Sequence, residues 1–233
     1  MNLNRTFPLL FIISVLMSFS VRAELSIQIT QGIDNPIPIA VVPFSWEGSG
    51  VLDEDIGEIV TADLQQVGEF RALSPSNMLA LPREEREVYY RDWSVLAQDY
   101  LLVGKVQRSP GSELIQVQYE FFDINREIKL AGEVLTGTTS QLRDIGHEIS
   151  NVVFELVTGT RGAFTTQILY IVSEFVSPEV SYFRLEKADY DGRRAQVLLE
   201  SREPIMSPSW SPNGKTSLMY RLKLICLEST RRI

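Results

Sequence analysis

The residues able to do chemistry in this 233-residue chain are few and scattered. It has one His, His147, and one Cys, Cys226. A single imidazole with no second His or Cys beside it cannot build a metal site by itself. One Cys cannot form an internal disulfide. Carboxylates cluster at Asp53, Glu54 and Asp55, and again at Glu84 and Glu85. The first cluster stands between an apolar run and a helical pattern, where a metal or an acid–base pair could sit. Helix capping and the helix dipole account for the same residues without any chemistry, and no apolar pocket is signalled that would hold a carboxyl protonated. The "GSG" at 48–50 lacks the Lys of a phosphate-binding loop. The chain holds no G-x-S-x-G, S-x-x-K, H-E-x-x-H or C-x-x-C. The expectation is a protein with no catalytic residue, no metal and no cofactor.

A hydrophobic fraction of 44% supports a packed core, and a net charge of −8 argues against nucleic-acid or anionic-membrane partners. Arg5, the apolar run Phe7 to Val21 and the small residues of "VRA" read as a secretory signal peptide over residues 1–23, which is too short to span a bilayer. "ELSIQITQG" then alternates Leu25, Ile27 and Ile29 against Ser26, Gln28 and Thr30, a period of two. "IDNPIP" breaks that pattern, and "IAVVPF" from Ile39 to Phe44 reads as a buried strand. A helix follows, started by Asp53, Glu54 and Asp55, faced by Ile56, Ile59, Val60, Leu64 and Val67, and stopped at Gly68.

A short helix is expected over residues 93–99. Next come a hairpin of "YLLVGKVQR" and "ELIQVQYEFFD" and a third strand, "EIKLAGEVLTGT". The clearest helix is capped by Ser140, striped by Leu142, Ile145, Ile149, Val152, Val153 and Leu156, and ended by Gly159. His147 falls about 200° from Ile145 on the helical wheel and is expected to be an exposed surface residue. Residues 24–160 therefore read as an α/β domain with a mixed sheet and helices packed on it.

Beyond "TGTRGAFTTQ" the texture is all strand. "ILYIVSEF" and "SYFRLEKADYDG" are expected to be strands, with Asp191-Gly192 as a two-residue hairpin turn. "SPSWSPNGK" (207–215) reads as turn punctuation around Trp210. "SLMY" repeats the pattern of "ILYI" after about 50 residues, near the interval of β-propeller blades.

Taken together, "ELSIQITQGIDNPIPIAVVPFSW", "FELVTGTRGAF", "ADYDG" and "SPSWSPNGK" resemble the TolB family, periplasmic proteins of the Tol–Pal cell-envelope system whose blade repeat usually reads "SPxWSPDGK". The resemblance runs from Glu24 to about Lys215. It implies an N-terminal α/β domain followed by a β-propeller, no enzymatic activity, and a role in outer-membrane integrity and in envelope constriction at cell division. It also implies two partners, Pal on the propeller and TolA on the extreme N-terminal segment, here Glu24, Leu25, Ser26, Ile27, Gln28, Ile29, Thr30, Gln31 and Gly32. The same alternation suits an ordinary edge strand of its own domain. An alternative is the leading part of a propeller-bearing secreted hydrolase of the prolyl-oligopeptidase type, which carries similar "WSPDG" repeats.

Residues 165–233 hold one blade and the start of a second, which reads as a truncated or frame-disrupted propeller. Propellers close with about 4–8 blades. Ile168, Tyr170, Val172, Phe183, Leu185, Val197, Leu198 and Trp210 are therefore expected to lack full packing, Pal binding to be absent or weak, and a stable fragment to end near Arg161.

Overall fold

In the computed structural model, residues 35–177, 180–211 and 217–221 are described. The signal-peptide reading, the partner-binding reading of residues 24–32 and Cys226 all lie outside them.

Strands β1 (Ile37–Val41), β2 (Ser45–Glu47), β3 (Phe70–Ala72), β4 (Tyr100–Arg108), β5 (Ile115–Asp123) and β6 (Ile128–Gly137) form one sheet in the order β3-β1-β4-β5-β6, with β2 also on β4. Strand β1 runs parallel to β3 and β4, while β4, β5 and β6 are antiparallel neighbours. The sheet is mixed, as expected. Strand β1 starts earlier than expected and includes Pro38. Its pairing with β4 begins only at Ile39 opposite Tyr100, so the missing N–H of Pro38 falls before that ladder. Strands β2 and β3 have three residues each. That is too short to show a period, and sequence reading missed both.

Alternation along the strands splits the apolar residues between two faces. Ile39, Val41, Leu102, Val117, Tyr119 and Phe121 face one core with helices α1 (Ile56–Gln66) and α3 (Leu142–Thr158). Ala40, Val42, Leu101, Val103 and Phe122 face a smaller core around Trp93 of the short helix α2 (Tyr90–Val95). Each such side chain, fully buried, contributes on the order of 1.5–3 kcal/mol.

In α1, Asp55 is the N-cap and accepts from the Glu58 N–H at 3.0 Å. Ile56, Ile59, Val60 and Leu64 are buried, while Val67, expected on the same face, is the C-cap and 37% exposed. Helix α2 begins at Tyr90, before the expected Trp93, and ends at Val95, because residues 96–99 already lead into β4.

The lead into α3 is capped by Thr138 and not by Ser140: Gln141 Oε1 accepts from the Thr138 N–H at 2.9 Å, and a 3₁₀ turn over Thr139–Gln141 precedes the helix. Leu142, Ile145, Ile149 and Val153 are buried as expected. Val152 is half-buried and Leu156 is exposed, while Phe154 and Val157 of the same turns pack against the core. Helices α1 and α3 meet at Gly146, where a Cβ would stand 2.8 Å from Ile59 Cγ2.

Strands β7 (Gln167–Ser177), β8 (Val180–Asp189) and β9 (Gln196–Ser201) make an antiparallel sheet, and β10 (Ile205–Trp210) pairs with β11 (Ser217–Arg221). The stretch read as turn punctuation is a strand as far as Trp210. Its Ser207 has φ 52° at an irregularity in the β10–β11 register.

The β8–β9 connection is not a two-residue turn. The Gly192 N–H donates to the Asp189 carbonyl, the Asp189 N–H donates to the Arg193 carbonyl, and Gly192 takes φ 81°. Those bonds enclose a three-residue loop, Tyr190-Asp191-Gly192, whose third position needs the left-handed conformation. Contacts divide the chain between Asp34 and Asn35, so α1, α3 and β7–β9 belong to one unit.

Candidate functional site

The densest group of buried polar residues lies where α1, α3 and the β8–β9 loop meet. Asp63 of α1 and His147 and Ser150 of α3 are each at most 2% exposed. Asp63 Oδ2 lies 2.7 Å from His147 Nδ1 and accepts from Ser150 Oγ at 2.7 Å. Expected to be exposed, His147 is buried. The wheel placed it correctly off the Ile145–Ile149 stripe, but α1 and the β8–β9 loop cover that second face. Tyr190 packs edge-on against the imidazole at 6.0 Å, and its hydroxyl reaches the Asp63 carbonyl at 3.4 Å. Burial pushes the Tyr190 phenol up to about 12, with the charge of Asp63 adding to the shift.

Two arginines tie the loop to the helices. Arg143, 9% exposed at its side chain, pairs with Glu54 at 3.1 Å, with Asp191, and more loosely with Asp189 at 3.7 Å. Arg194 pairs with Asp189 at 2.5 Å and with Asp144, and these two carboxylates raise its already high affinity for the proton. Arg194 holds this position at φ 52°, an uncommon conformation for a residue with a Cβ.

The segment between α3 and β7 is docked as well. Asn151 Oδ1 accepts from the Phe164 N–H at 3.1 Å, and Asn151 Nδ2 donates to Thr165 at 3.1 Å. Phe164 is 2% exposed and stacks edge-on with Phe154 and Tyr190. Phe164 thus belongs to the core of the preceding helices, beyond the fragment end expected near Arg161.

Ser, His and Asp in one cluster invite a test for nucleophilic catalysis. A nucleophilic Ser must give its proton to the imidazole. Here Ser150 and His147 converge on the same carboxylate oxygen, and Ser150 is fully buried. The arrangement locks α1 to α3 and presents no activated hydroxyl.

The two carboxylate clusters found in the sequence are held in other ways. Asp55 caps α1, and Asp53, Glu54 and Glu58 line a cavity of roughly 470 Å3 together with Asp63, Arg143 and Asp191. Glu84 pairs with Lys105 at 3.0 Å, which holds its carboxyl below the usual range, and Glu85 pairs with Lys129. Sequence reasoning missed Asp63, Arg143, Asp189 and Arg194. The usable signal was polar residues interrupting the inward faces of α1 and α3.

The chain matches the family model of the TolB amino-terminal domain over residues 25–130 and that of the TolB beta propeller domain over residues 154–221. It is 42% identical over 221 residues to the Tol-Pal system protein TolB of Hahella chejuensis, covering 95% of this chain and 50% of that protein. It is 44% identical over 197 residues to that of Marinomonas sp., covering 84% and 45%. A crystal structure of TolB from Acinetobacter baumannii superposes with a TM-score of 0.69 at 28% identity, over 80% of this chain and 44% of that one. The chain spans about half the length of the curated relatives it matches.

Proposed function

Because the chain belongs to the TolB family, we propose that it acts as a non-catalytic periplasmic binding and scaffold protein of the Tol–Pal envelope system. In this reading it supports outer-membrane integrity and envelope constriction at division, meeting TolA through residues 24–32. The observation that carries the reading is the order of the two family matches, amino-terminal domain and then propeller, along one chain. The buried Asp63–His147–Ser150 cluster supports the non-catalytic part, since it offers no hydroxyl to a substrate. Among the described residues no helix is long and apolar enough to cross a membrane.

The alternating residues Leu25, Ile27 and Ile29 suit addition to a partner's sheet edge, where backbone bonds bind and alternate side chains set register. The test is titration with the C-terminal domain of TolA. Ile27→Glu together with Ile29→Glu should weaken binding about 30-fold or more while leaving the melting temperature unchanged. Unchanged affinity in the double variant would overturn the N-terminal contact. Export is tested separately: protein recovered from the periplasm should begin at Glu24.

A further inference from the structure

We propose that His147, Asp189 and Asp191 form a binding site for a divalent cation of the zinc class, joining α3 to the β8–β9 loop. One ligand atom from each of these residues lies within 4.8 Å of the other two. The chemistry of His147 points the same way. An ionised Asp63 can only accept, so His147 Nδ1 carries the proton of their 2.7 Å bond. In the neutral imidazole that leaves Nε2 with a free lone pair. Nε2 is buried and has no hydrogen-bond partner. A buried acceptor without a partner is costly, and a metal ion would satisfy it. A carboxylate on the far nitrogen is also the usual support of a metal-binding histidine, since it fixes the tautomer and raises the basicity of the ligand.

The electrostatics favour a cation. Glu54, Asp144, Asp189 and Asp191 gather at the loop and pair with the guanidinium groups of Arg143 and Arg194, and Asp63 pairs with His147. The Asp189 pairs with Arg143 and Arg194 both use Oδ2 and leave Oδ1 for a further ligand. Asp191 gives one oxygen to Arg143 and the other to the Arg193 N–H. The cation therefore competes with Arg143 at Asp191, and Arg143 retains Glu54.

Ligand atoms on one tetrahedral zinc, at bonds of about 2.0–2.2 Å, stand about 3.4 Å apart. Closing from 4.8 Å asks for a side-chain shift of roughly 1 Å. Asp191 sits on a three-residue loop beside the cavity lined by Asp53 and Glu58, which gives solvent access. One imidazole with two carboxylates suits Zn2+ over Ca2+ or Mg2+, which prefer oxygen alone.

The test uses the full chain in a Cys226→Ser background, which removes the thiol as a competing ligand. Zn2+ is titrated by calorimetry, with the imidazole 15N resonances followed by NMR. Because His147 is the single His, any imidazole response is its own. The expected result is one Zn2+ per chain, a shift of the Nε2 resonance on saturation, and binding at least about tenfold weaker in both His147→Gln and Asp191→Asn. An imidazole resonance unmoved at saturating Zn2+, or unchanged affinity in Asp191→Asn, overturns the proposal. If His147→Gln melts early, Asp191→Asn decides alone.

Discussion

Leu101, Leu102, Phe121 and Phe122 in the sheet of residues 35–164 are 0% exposed, whereas Phe175 on β7 is 75% exposed and Val197 on β9 is 51% exposed. The first region has helices on one face of its sheet and the Trp93 segment on the other, so both sides of its central strands are covered. Among the described residues after 166, the buried apolar residues are Leu185, Ala188 and Ile205. Of the side chains expected to lack packing, Ile168, Val197 and Leu198 are exposed, and Tyr170, Val172, Phe183 and Trp210 are half-buried. Leu185 departs from the expectation at 1% exposed; its strand β8 is flanked by β7 and β9 and also meets β10. Hydrogen-bonded strands thus form in both regions, but a sheet gains most of its stability only when a second layer covers its face.

The largest effect should come from the covered sheet. Leu102→Ala is expected to cost about 3–4 kcal/mol, read as the shift in denaturant midpoint. A cost under about 1 kcal/mol would mean that the first region is no better packed than the second.

Next comes the junction. Arg143→Met removes the partner of Asp191 and Glu54 and is expected to cost about 3 kcal/mol. It should also speed proteolysis in the β8–β9 loop, and the protected fragment should still contain Phe164, which packs with the helices. A fragment ending at Arg161 in the unaltered chain would show the junction to be loose.

Asp63→Ala leaves Ser150 without its carboxylate acceptor and His147 Nδ1 without its partner, at an expected cost of about 2 kcal/mol. Asp63→Asn, which keeps an acceptor oxygen, should cost less.

A smaller effect follows pH. The phenols of Tyr119 and Tyr190 are pushed up from 10.0 to about 12, in both cases chiefly by burial. The unfolded chain ionises these groups at lower pH than the folded chain does. Their contribution is therefore complete below pH 10 and is lost as pH rises towards 12. Tyr190→Phe should flatten part of that alkaline decline, followed by melting temperature against pH.

The smallest effect belongs to the open strands. Val197→Ala is expected to change stability by no more than about 0.5 kcal/mol, because its side chain already meets solvent. A larger loss would mean that β9 is covered in solution.

Periodicity and capping alone settled much of this molecule. The α1 and α3 stripes, the β4–β5–β6 meander and the change to strands after residue 166 are local signals, each set by side chains a few positions apart. The family resemblance was legible for the same reason, since "FELVTGTRGAF" and "SPSWSPNGK" are contiguous. What depended on tertiary structure was the meaning of isolated polar residues. Asp63 and His147 are 84 positions apart, and Arg143 and Asp191 are 48 apart. No local pattern relates them. His147 looked exposed because a helical wheel shows which residues share a face but not how many faces are covered. Two contacts decided that here: α1 packs against α3 at Gly146, and the β8–β9 loop closes over His147 through Tyr190.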